Sequence, residues 1–142
     1  MQPTFPVRAI DPMPEASRAS YALPALVYVL FIGVTFFPDV QPVLVKAFGS
    51  GPFGLPVTLV VAVAQAILLL PFVFAIHHFM RIAEQAARDG HGIGKVGLLV
   101  YAMTVGQRHP QLRRSQVFSL MGLIYFVALC GAWIVYADAR GI

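Results

Sequence analysis

Apolar residues run through this chain in blocks too long for strands and too unbroken for an ordinary amphipathic helix. Between Ala19 and Pro38 no side chain is charged. The centre of that window, Tyr21 to Phe37, reads YALPALVYVLFIGVTFF. Its 17 residues would rise roughly 25 Å as a helix, enough for a thin bilayer. Pro24 falls near the start, where a missing N–H costs little, and Pro38 and Asp39 end the run. A second apolar block covers residues 57–79 and a third covers 115–137. Each has the length of a membrane-spanning helix.

The segments between the blocks read differently. Residues 1–20 contain Pro3, Pro6, Pro12 and Pro14, a density that forbids regular helix and predicts an extended arm. The connector 39–56 holds Gly49, Gly51, Pro52, Gly54 and Pro56, which break helices. Its apolar residues Val43, Leu44, Val45 and Phe48 are expected to rest on the membrane surface. Beyond the second block, HHFMRIAEQAAR should continue the helix out of the membrane, with Glu84 and Arg88 in the favourable i,i+4 order. Residues 89–114 form a basic loop. Within it the apolar run 96–106 is too short to span, and suits a helix lying on the bilayer.

Composition agrees with this pattern. The 142 residues are 58% hydrophobic and 11% charged, and mean hydropathy is +0.77. A soluble domain is roughly 45–50% apolar and about 25% charged. The predicted fold is therefore all-α: an integral membrane protein with three transmembrane helices and a short interfacial helix. Residues 1–20 form the arm and residues 21–142 a single membrane domain.

Charge orients it. Net charge is +4. Three spans put the arm (Arg8, Arg18) and the 80–114 segment (Arg81, Arg88, Lys95, Arg108, Arg113, Arg114) on one side. Lys46 and Arg140 fall on the other. The positive-inside rule then predicts a cytoplasmic N-terminus and an external C-terminus. Arg108, Arg113 and Arg114 are expected to touch anionic lipid or a partner's acidic loop. Nucleic-acid binding would need a basic patch on a soluble face, and most of this chain reads as bilayer-embedded.

Candidate chemistry is sparse. Gly92, Gly94 and Gly97 match G-x-G-x-x-G, but no strand precedes them, so a flexible basic loop is the better reading. His77 and His78 close the second span. Adjacent helical positions point about 100° apart, so one helix cannot aim both at one ion. His91 and His109 have no ligand spacing, and Cys130 lies in the apolar FVALCGAWIV, without the electropositive setting a catalytic thiolate needs. No charged residue falls inside a span, which argues against an ion-coupled carrier acting alone. No catalytic set is present, and neither enzyme activity, cofactor nor metal is expected. What remains is packing. Ala62 and Ala66 form a small-xxx-small pair beside Gln65, a candidate interhelical hydrogen-bonder. Gly122 and Gly131 are candidate close-approach points on the third span. Pro71 strips one helical hydrogen bond and predicts a kink.

The stretch from about Ser20 to Arg88 resembles the small inner-membrane companion proteins of acetate-type sodium–solute symporters. The resemblance lies in VYVLFIGVTFFPDV for a first span, the glycine-rich FGSGPFGLPVT link, and a second span ending in the polar AIHHFMRIAEQ. The chain departs from that pattern in lacking an aromatic residue before Glu84 and in adding the basic loop and the third span. The resemblance implies a non-catalytic partner of a larger polytopic transporter, without a cofactor. The leading expectation is thus an accessory or assembly subunit of a membrane complex. Two others stand beside it: a small subunit of a respiratory or photosynthetic electron-transfer complex, in which His77 or His78 meets a cofactor from another chain, and a self-assembling channel built as a homo-oligomer.

Overall fold

A computed structural model describes residues 17–90 and 97–141. The arm before Ser17 and the loop 91–96, with His91, Gly92, Gly94 and Lys95, lie outside the described residues. All regular structure among the described residues is helical: α1 (Arg18–Val34), α2 (Gln41–Phe48), α3 (Val57–Arg88), α4 (Gly97–Arg108) and α5 (Arg113–Arg140), with short 3-10 turns at Pro52–Gly54 and Pro110–Leu112.

Two helical stretches, Val57–Arg88 and Pro110–Arg140, are long and apolar enough to cross a membrane. Only 17% and 11% of their most apolar windows is buried within the chain, which is unlike the core helix of a soluble domain. Their bare Leu, Ile, Val and Phe side chains instead match a lipid-facing surface. The first span is the weaker element. α1 has 17 residues and ends at Val34, where Thr35, Phe36 and Phe37 turn off through i to i−3 hydrogen bonds. That rise of about 25 Å falls short of a hydrocarbon core of roughly 30 Å. Two clear spans, not three, follow from length and composition.

α3 lies between α1 and α5 and runs antiparallel to both. Tyr28 and Thr35 of α1 reach Ala66 and Gln65, whereas Ser17 and Ser20, at or just before its start, reach Glu84 and His77. On the other flank, Ser115 of α5 meets His78, Phe126 stacks on Phe72 at 4.1 Å, and Tyr125 reaches the Leu68 carbonyl. At 100° per residue Ala62 and His77 lie on one side of α3 and Ala75 and His78 largely on the other, whereas Gln65 and Phe72, seven residues apart, lie close to one line along the helix.

The connector is a correction. It carries α2, a helix of eight residues. Its glycines all follow Phe48, and Pro42 falls in the first turn, where proline is compatible with a helix. Gly49, at φ 73°, then ends it in a conformation glycine adopts freely. Leu44 does not rest on a membrane surface, because it and Ala47 are buried in the protein. Tyr136 donates to the Ala47 carbonyl at 2.6 Å, and Phe48 packs on Tyr136 and Trp133.

At the opposite end α4 folds back on the polar tail of α3. Tyr101, Ala102 and Val105 share one face and pack with Ile82, Ala86 and Leu112 in a buried cluster. The outer face of α4 is apolar too: Val100 and Met103 are about half exposed, and Leu99 is half exposed at its edge. α3 continues as helix through Pro71.

Candidate functional site

The residues singled out in the sequence fall into three places. The first is the contact between α1 and α3. The Gln65 side chain donates through Nε2 to the Phe31 carbonyl at 3.0 Å and accepts from the Thr35 hydroxyl at 2.6 Å. Ala62 is buried beside this network. Ala66 contributes its carbonyl, which accepts from the Tyr28 hydroxyl at 2.8 Å.

The second is the crossing of α3 and α5. A Cβ added to Gly122 would overlap the Cβ of Ala75 and lie 3.6 Å from the Pro71 carbonyl oxygen. Gly122 therefore sets the closest approach of the two helices. Proline at 71 leaves the Ile67 carbonyl without its helical donor. Two tyrosines hold the same turn from opposite sides, Tyr28 on the Ala66 carbonyl and Tyr125 on the Leu68 carbonyl at 2.7 Å. Gly131 differs. A Cβ there meets nothing within 4 Å, so it is not a close-approach point within the chain. From Cys130 to Val135 six successive residues are exposed, although Trp133 also meets Phe48.

His77 and His78 diverge as their spacing demands. His77 Nδ1 lies 2.8 Å from the Ser20 carbonyl oxygen, and its ring sits against Tyr21. His78 turns to α5, with Nδ1 3.1 Å from Ser115 Oγ and its ring stacked near Phe118. His78 Nε2 is buried without a hydrogen-bond partner. Among the described residues no three His, Cys, Asp or Glu side chains gather as a metal site would require.

Comparison with protein-family models, curated proteins and solved structures returns no match. The site must be read from its own geometry.

The third place is the basic end of the molecule. Arg18, Arg81, Arg88, Arg108, Arg113 and Arg114 all lie at the end where α1 and α5 begin and α3 finishes. Among the described residues the acidic ones there are Glu84, which accepts from Ser17, and Asp89. The far end balances Lys46 and Arg140 against Asp39 and Asp138. Sequence reasoning missed the device that ties this end together. Asp89 caps α3, and its Oδ2 accepts from the Tyr101 hydroxyl at 2.6 Å and from His109 Nε2 at 2.8 Å. Gln85 donates to Oδ1 at 3.0 Å. The Tyr101 hydrogen bond does most to hold the Asp89 carboxyl below the usual carboxylate range. Burial, then the carboxylate itself, pushes the Tyr101 phenol up. The only sequence signal was Asp89 itself, the sole acidic residue between Arg88 and Arg114.

Proposed function

We propose that the chain is a membrane-embedded, non-catalytic accessory or assembly subunit of a larger membrane complex, with a solute symporter as the first candidate partner. The observation that supports this reading is the exposed stretch of α5 around Gly131. Within one chain, a Cβ on Gly131 would meet nothing within 4 Å and Ala128 and Ala132 are exposed, although small residues at such spacing let a second helix approach closely in lipid. On this reading α1 completes a third crossing with help from Phe36 and Phe37 at its end. The six arginines of the basic end face the cytoplasm, in keeping with the positive-inside rule. The C-terminus lies outside, in a bacterial inner membrane.

The test is purification of the tagged chain in mild detergent, with every co-purifying protein identified. Recovery of a large polytopic transporter is expected, together with its loss in a Gly131→Leu variant that still folds. Recovery of cytochromes or pigment proteins would replace this reading with the electron-transfer one. A homo-oligomer free of other proteins would overturn both.

A further inference from the structure

An apolar cleft lies between α3, α4 and α5. It is lined by Phe72, Ile76 and Phe79 of α3, Leu99 of α4, and Leu120 and Leu123 of α5, and its volume is about 240 Å³. A dry cavity of roughly 150 Å³ already admits a benzene ring. Arg113, Gln116, Leu120 and Leu123 recur at i, i+3, i+7 and i+10, so they form one stripe of α5. Arg113 stands about 10 Å along the axis from Leu120. Arg114 is exposed beside it, and Arg108 ends α4 at the same corner. The Gln116 amide donates to the Met103 carbonyl and fixes α4 over the cleft. Cationic groups thus lie one headgroup's reach from an apolar slot, at the end of the molecule with a described excess of positive charge.

We propose that this corner binds an anionic glycerophospholipid, with the phosphate at Arg113 and Arg114 and one acyl chain in the cleft under α4. The occupant follows from charge complementarity. A zwitterionic lipid would use the slot but gain little from the arginines, whereas an acidic loop would use the arginines and leave the slot unfilled. The inference rests on membrane residence and not on the accessory role.

The test uses the full chain in mild detergent, mixed with phosphatidylglycerol or phosphatidylcholine of matched chains, with bound lipid counted by native mass spectrometry. Phosphatidylglycerol should be retained preferentially. Arg113→Gln with Arg114→Gln should weaken it about 25-fold, at about fivefold per charge, and leave phosphatidylcholine unchanged. Leu99→Trp, at the exposed rim, should lower retention of both lipids by filling the slot. Inorganic phosphate should not displace the lipid. Equal retention of the two lipids, or a preference untouched by the double arginine variant, would overturn the site. So would displacement by inorganic phosphate, or an acidic peptide that competes with no need for the slot. Extraction of cell membranes with alkaline carbonate separates the two levels. Release of the chain refutes membrane residence itself, whereas retention without lipid preference refutes only the lipid site.

Discussion

Two glycines of α5 looked alike in the sequence and have different surroundings. Gly122→Ala places a methyl group on Ala75 and must push α5 away from the Pro71 turn. Overpacking of that kind costs roughly 1–3 kcal/mol. Gly131→Ala meets open space, and the isolated chain should unfold with an unchanged or slightly raised midpoint. Denaturant titration of both variants in detergent checks the contrast; equal losses would refute the assigned crossing. His78 makes a second case. Its Nε2 has no partner among the described residues, and Ser115 partners its Nδ1. Ser115→Ala should destabilise by about 1–3 kcal/mol, because an unpaired buried polar group bears its full desolvation cost. Adding His78→Phe, which keeps a ring between Phe74 and Phe118, should recover most of that loss. Failure of the double variant to recover would mean the hydrogen bond is not what Ser115 contributes.

At the level of elements, α4 is held by an apolar face and by Asp89, and its attachment should follow pH. The Asp89 carboxyl has a lowered pKa, so its contribution is present above its unfolded value near 3.8 and lost as pH falls through the folded one. Tyr101 is raised, so its contribution holds below its unfolded value near 10 and fades as pH climbs further. Protection factors of α4 amides, with the intrinsic pH dependence of exchange divided out, should therefore be flat from about pH 5 to 9 and fall below about pH 4. Asp89→Asn should remove the acid limb; an unchanged limb would assign it elsewhere. The same elements show what a sequence discloses. α3 and α5 were legible because an uncharged window of that length admits few structures. α2 was not, since Leu44 and Ala47 gain their stability from α3 and α5, far along the chain, while the nearby glycines and prolines suggested only a break. The Asp89 cluster joins positions 12 and 20 residues apart, with no periodicity to reveal it. The Gln65 network joins positions 30 and 34 apart, and the polar residue was visible but its partners were not.

For the whole molecule, the uneven ends are the ground of the proposed three-crossing orientation. Reporters fused to either terminus should place the N-terminus inside and the C-terminus outside, and replacing Arg108, Arg113 and Arg114 with Gln should mix the two orientations. A single orientation opposite to this would refute the assignment. The position of α3 between its neighbours has a further consequence. The α1 contact through Gln65 and the α5 contact through Gly122 use different faces of α3 and lie about 15 Å apart along it, from Gln65 to Ala75. Stability then divides into two nearly independent accounts of the same helix. Gln65→Leu and Gly122→Ala should add to within about 0.5 kcal/mol when combined. Only a change that bends α3 at Pro71, where Tyr28 and Tyr125 grip adjoining carbonyls, would be felt on both sides at once.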